Sequence, residues 1–76
     1  DIMKKVINNF SKKVGHKIKV ERTKKDLTQE ELAYAANISR SSMGLIERGE
    51  SSPTIETVKL IADALKIDVY KLFIFD

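Results

Sequence analysis

Apolar residues recur at three- and four-residue steps along this chain and nowhere alternate strictly with polar ones, which confines it to helices. A half-buried strand needs a two-residue repeat, and no cluster of β-branched residues stands between turn signals. The expected fold class is all-α. Of the 76 residues 42% are hydrophobic and 33% charged, enough for one small core and too little one-signed charge for disorder. Gly15, Gly44, Gly49 and Pro53 are the only Gly and Pro, and no repeat or low-complexity stretch divides the chain.

Start and stop signals cut the helical content into short pieces. A first helix is expected from about Ser11 to Lys25, with Val14 and Ile18 on one face. Thr28-Gln29-Glu30-Glu31 has the form of a capping box, which opens a second helix running to about Ala36. Asn37 tolerates the left-handed conformation that stops a helix, and Ser39 caps a third, from about Arg40 to Arg48, which Gly49 closes. Ser51-Ser52-Pro53-Thr54 forms a loop and cap before a fourth helix, with Ile55, Val58, Ile61, Ala62 and Leu65 on its core face. Asp68 is expected to cap a short fifth helix in which Val69, Leu72 and Phe73 are apolar. Residues 1–10 carry Met3, Val6, Ile7 and Phe10 at helical spacing and read as an N-terminal arm or helical extension, whose plainest role is to cover the core. Residues 11–76 form the domain proper.

The composition excludes much chemistry. Without Cys there is no disulfide, thiolate metal site or thiol nucleophile, and one His cannot supply a multi-His metal cluster. No nucleophile–base pair or phosphate-cradling Gly-rich loop is present, so no catalytic residue, metal, cofactor or small-molecule substrate is expected. No apolar run approaches the roughly 18 residues of a membrane span, and Asp1-Ile2-Met3-Lys4-Lys5 lacks the apolar core of a secretion signal. A cytoplasmic location without membrane contact is the expectation. The net charge of +3 is unevenly spread: residues 1–25 hold nine Lys/Arg against Asp1 and Glu21, while residues 26–76 are acidic overall. The basic end suits a polyanion, or else its lysines simply solvate a helix.

Two short helices joined by Asn37-Ile38-Ser39 have the connection length of a helix-turn-helix. Leu27-Thr28-Gln29-Glu30-Glu31-Leu32-Ala33, Ile38-Ser39-Arg40, Ile46-Glu47-Arg48-Gly49 and Pro53-Thr54-Ile55-Glu56-Thr57 follow in order, and together they resemble the Cro and lambda-repressor type helix-turn-helix family. The resemblance spans about residues 13–73. It implies a compact five-helix domain that binds double-stranded DNA as a homodimer, with the third helix in the major groove. Many family members of this size are phage repressors or controller proteins of restriction-modification systems.

Within that frame the third helix opens Ser39-Arg40-Ser41-Ser42, a poor core surface suited to a groove. Arg40 is assigned to base reading, since a guanidinium donates twice to guanine O6 and N7, with phosphate contact as the alternative. Ser41 and Ser42 suit bases or phosphates, and Ser39 caps the helix while presenting its hydroxyl to the DNA backbone. Gly44 is expected to permit close approach, and Leu45 to touch a thymine methyl or else pack on a neighbouring loop. The resemblance places Gln29 on a phosphate beside Thr28, which is mainly a cap, and makes Arg22 and Glu47 a structural ion pair. The run Leu72-Phe73-Ile74-Phe75 exceeds what one short helix buries. The resemblance turns Leu72 and Phe73 inward, which leaves Ile74 and Phe75, with Val69 or Leu60, as a dimer interface, the alternative being a fold-back over the core or the N-terminal arm. The competing function is a protein-interaction module, such as an antitoxin, on the same scaffold.

Overall fold

A computed structural model describes the backbone of residues 2–75 and the side chains of residues 9–75. Four α-helices follow one another: α1 (Ile2–Lys24), α2 (Gln29–Ala35), α3 (Arg40–Glu47) and α4 (Ile55–Leu65). A 3-10 helix, Val69–Phe73, takes the place of the expected fifth α-helix. Five residues are too few for α-helical hydrogen bonds to accumulate, and the tighter turn closes with Lys71 N–H donating to the Asp68 carbonyl at 3.1 Å. The Asp68 side chain makes no cap hydrogen bond.

The first helix does not begin at Ser11 but passes through it. Neither Asn8 nor Asn9 is a strong enough breaker to interrupt it, and the Ser11 hydroxyl lies 3.4 Å from that of Ser52 instead of capping. The Met3, Val6 and Ile7 side chains, assigned to core coverage, lie outside the described residues. Phe10 shows what holds this end of α1: its ring stacks on Phe73 at 6.0 Å and meets the edge of Phe75 at 5.9 Å.

The remaining boundaries follow their capping chemistry. Thr28 Oγ1 accepts from Glu31 N–H at 3.0 Å while Thr28 N–H donates to Glu31 Oε1 at 2.8 Å, and Ser39 and Thr54 cap α3 and α4 by accepting from Ser42 and Thr57 N–H, without the reciprocal bond. All four helices end in the same motif, with a left-handed residue at Asp26, Asn37, Gly49 or Lys66. In each, paired bonds reach back three and five residues, as Asn37 N–H to the Tyr34 carbonyl and Ile38 N–H to that of Ala33. After three of them the next residue is apolar, and Leu27, Ile38 and Ile67 pack against the core.

That core centres on Ile18, Leu32, Met43, Ile61, Leu65 and Leu72, all fully buried. Each contributes about 1.5–3 kcal/mol relative to exposure. Gly15 lets α1 touch the end of α3 directly: a Cβ there meets the Ile46 carbonyl oxygen head-on and lies 2.7 Å from that of Glu47. Ile55, assigned to the core face of α4, is instead 83% exposed. As the first residue of the helix it sits before the chain has turned its apolar stripe inward, which begins at Val58.

Candidate nucleic-acid interface

α2 and α3 meet across the turn at Asn37, whose φ of 58° reverses the chain. α3 then divides sharply by face. Met43 and Ile46 are buried, while Arg40, Ser41 and Ser42 are exposed in its first turn. Arg40 makes no ion pair or side-chain hydrogen bond among the described residues, so its guanidinium is free for a partner. Leu45 is 39% exposed on the same helix, pointing away from the core rather than packed down.

The serines share one cap. Ser39 Oγ accepts from Ser42 N–H at 3.0 Å and donates its proton to Ser42 Oγ at 2.9 Å. The Ser39 proton is therefore spent inside the protein, and Ser42 carries the outward donor of the pair.

A polar network ties α3 to the other helices from behind. Arg22 on α1 donates to both Glu47 oxygens, at 2.7 and 3.1 Å, and to the Leu27 carbonyl at 2.7 Å. Their side chains are 10% and 2% exposed, so the expected ion pair is present and buried. Gln29 Nε2 donates to Glu47 Oε1 at 2.9 Å. One amide proton of Gln29 is thus engaged in the latch at the start of α2, while the other is taken by no side-chain hydrogen bond among the described residues. It is Gly44 that departs from expectation. It is buried, with Arg48 Nη1 3.0 Å and Gln29 Oε1 3.7 Å from where a Cβ would stand, so the close approach it allows is that of the chain's own side chains.

Between α2 and the start of α3 lies a polar cleft of about 860 Å³ lined by Thr28, Gln29, Glu30, Tyr34 and Arg40, among others. Tyr34 was not singled out from the sequence, although it is 88% exposed. Its signal was the helical wheel, since Leu32, Ala33 and Ala36 make the buried side of α2 and leave an aromatic outside. On α1, Lys17 and Lys24 both pair with Glu21, at 3.3 and 3.2 Å. Partial burial pushes the Glu21 carboxyl up, but hydrogen bonds and charge from Lys24 and Lys17 prevail and hold it below its ordinary value.

The expected dimer residues divide between two surfaces. Ile74 is 46% and Leu60 43% exposed, whereas Val69 is half-buried against the core. Phe75 folds back on α1, against Phe10 and with Lys13 Nζ 5.8 Å from its ring centre. Phe73 was assigned inward with Leu72, yet only Leu72 is buried and Phe73 is 40% exposed. A 3-10 turn has three residues per turn, which aligns Leu72 with Val69 on the core side and rotates Phe73 away.

The sequence profile described as Helix-turn-helix matches residues 18–72, covering α2, the turn, α3 and α4. The chain belongs to the helix-turn-helix family. It is similar to the immunity repressor protein of Bacillus phage phi105, 45% identical over 56 residues that are 74% of this chain and 39% of the repressor. This helix-turn-helix chain thus spans about two fifths of that relative's length. An uncharacterized HTH-type transcriptional regulator of Archaeoglobus fulgidus is 33% identical over 60 residues, 79% of this chain and 84% of the regulator. Among solved structures, the restriction-modification controller protein C.AhdI of Aeromonas hydrophila superposes with a TM-score of 0.82 at 35% identity, covering 83% of this chain and 96% of the controller. The helix-turn-helix chain therefore sits among repressors and transcriptional regulators rather than enzymes. No helix among its described residues is long and apolar enough to cross a membrane.

Proposed function

We propose that this helix-turn-helix protein is a transcriptional repressor or controller that binds a palindromic operator as a homodimer in the cytoplasm. The carrying observation is the unpartnered Arg40, exposed with Ser41 and Ser42 on a helix whose opposite side is locked by Met43, Ile46 and the Arg22–Glu47–Gln29 network. In this reading Arg40 reads a guanine edge, Ser41 and Ser42 bond to bases or phosphates, and Leu45 meets a thymine methyl. Thr28, Ser39 and Tyr34 lie along the DNA backbone, with Tyr34 donating its hydroxyl to a phosphate across the cleft it shares with Arg40. Gly44 and Gln29 act by holding the helix. Ile74 and Phe75 at the C-terminal end, joined by Val69 or Leu60, supply the twofold contact that spaces two recognition helices in this reading.

Selection from random duplexes followed by binding at two salt concentrations tests this. The expected result is a dyad-symmetric site with half-sites about 34 Å apart. Two domains contacting about 6–10 phosphates lose about 10³–10⁵ in affinity between about 50 and 200 mM salt. Absence of a preferred sequence, with tight salt-insensitive binding to a protein, replaces this reading with the interaction-module or antitoxin role.

A further inference from the structure

The outward face of α3 carries a second guanidinium besides that of Arg40. Ser41, Leu45 and Arg48 follow one another at steps of four and three residues, so the Arg48 side chain leaves the helix on its exposed stripe. Arg48 closes α3 with right-handed backbone angles, φ −85° and ψ −4°, and its side chain is 56% exposed. The head group does not run on past the end of the helix. Nη1 lies 3.0 Å from where a Gly44 Cβ would stand, so the guanidinium is turned back by one helical turn onto the space that Gly44 leaves. We propose that Arg48, seated over Gly44 and steadied by Glu50, is a second base-reading residue of α3, taking a guanine edge alongside Arg40. The inference rests on the DNA-binding reading above and adds a position to what the helix reads.

Three observations favour a base over a phosphate. The first is direction. A recognition helix meets base edges with its N-terminal residues, and an arginine pointing onward from its C-terminus would reach the DNA backbone. The Gly44 seat instead brings this one back to the middle of the helix. At a rise of about 1.5 Å per residue, Gly44 and Arg48 stand about 6 and 12 Å beyond Arg40, a separation of about two to three base pairs. The second is the free fork. Glu50 Oε1 accepts from Arg48 Nε at 3.2 Å, and no other side-chain hydrogen bond engages this guanidinium among the described residues. Nη1 and Nη2 are left as donors for guanine O6 and N7. The third is Glu50 itself. A carboxylate held against the guanidinium repels a phosphate, whereas the guanine edge is uncharged and a fixed plane helps the fork to meet it. The pair is exposed on both sides, 56% and 54%, and adds little to stability, so orientation is its main consequence.

Selection from random duplexes with the unmodified chain, Arg48→Ala, Arg48→Lys and Glu50→Ala tests the proposal, and Arg40→Ala identifies the base pair that Arg40 reads. Both positions are exposed, so the variants keep the fold, checked by thermal melting. The unmodified chain is expected to select two guanines per half-site, about two to three base pairs apart. Both Arg48 variants then lose about 5–150-fold in discrimination at the guanine that Arg40→Ala leaves intact, because lysine keeps the charge but not the fork. Glu50→Ala lowers discrimination at that same base pair while binding random duplexes more tightly. If Arg48→Lys keeps the full profile, or Arg48→Ala weakens selected and random duplexes equally, Arg48 is a phosphate anchor and the proposal is overturned. A profile that responds to Arg40→Ala and not to any Arg48 variant overturns it as well, and leaves the DNA-binding reading standing. If no sequence is selected at all, both fail together.

Discussion

Gly15→Ala puts one methyl group between two backbones, and its cost can be worked from the structure. The added Cβ lies 2.7 Å from the Glu47 carbonyl oxygen, where ordinary contact begins at 3.4 Å, so α1 and α3 must part by at least about 0.7 Å. The Ile46 carbonyl oxygen is met more closely still. Neither oxygen belongs to a side chain that can rotate away. A gap of that size forfeits about a quarter to a half of the dispersion energy of the atoms lining it, here Val14 and Ile18 against Met43 and Ile46. Overpacking of this kind costs about 1–3 kcal/mol, and the backbone contact selects the upper end. Alanine returns about 0.5–1 kcal/mol of helix preference. The net expectation is a loss of about 2 kcal/mol, or a fall in Tm of about 8–16 °C for a domain of this size. Thermal melting by circular dichroism measures it. An unchanged or raised Tm would refute the close contact of α1 with α3.

Three other changes probe different links. For Arg22 and Glu47, breaking the buried pair from either side costs about 3–5 kcal/mol by stranding a charge, and a double-mutant cycle on denaturant stability should show strong coupling; none would mean that the latch is not formed. Arg40→Ala should lose about 1–3 kcal/mol of discrimination at a single base pair while leaving Tm unchanged. Equal losses on selected and random DNA would make Arg40 a phosphate anchor instead. Lys66→Gly relieves a left-handed residue (φ 59°) on the surface and should stabilise by about 0.5–1 kcal/mol, since that conformation costs about 1–2 kcal/mol without glycine and glycine returns part of it as chain entropy; lowered stability would show that the lysine side chain matters to the end of α4.

What the sequence displayed was chiefly local chemistry. The cap at Thr28 needs only its own hydroxyl and Glu31, three residues on, and Asn37 and Gly49 are residue types that enter the left-handed region readily. Asp26 is such a type as well, whereas Lys66 adopts the same conformation without that compositional sign, and the half-buried Ile67 that follows it packs against the core. Pairing Arg22 with Glu47 came through family resemblance, since two charges 25 positions apart carry no mutual signal. Gly15 was unreadable for a related reason: a helix interior glycine looks like a weakness until the opposing carbonyls are in place. Phe73 was turned inward by the family resemblance, which the 3-10 geometry of the last turn does not follow, and Ile55 was misplaced by extending α-helical periodicity to a helix's first residue. Gln29 and Gly44 were assigned to DNA contact, and the bond from Gln29 to Glu47 and the burial of Gly44 beside Arg48 emerge only once α2 and α3 are packed together.

These inward commitments explain why the outward face of α3 is available for recognition. Eight residues with a glycine among them are too few to be a stable helix in water, so everything that orders α3 must come from outside it. Its start is fixed by the Ser39 cap, its end by the left-handed Gly49 against the Lys12 backbone, and its underside by Met43, Ile46 and the carboxylate of Glu47. Arg40, Ser41 and Leu45 take no part in any of these supports. A substitution at those positions changes what the helix presents without changing whether it forms, so the specificity of such a helix can vary while its frame is kept. Ser42 stands at the boundary between the two duties: its hydroxyl accepts the Ser39 proton and turns its own outward, while the amide that completes the cap is backbone and survives any substitution at this position but proline.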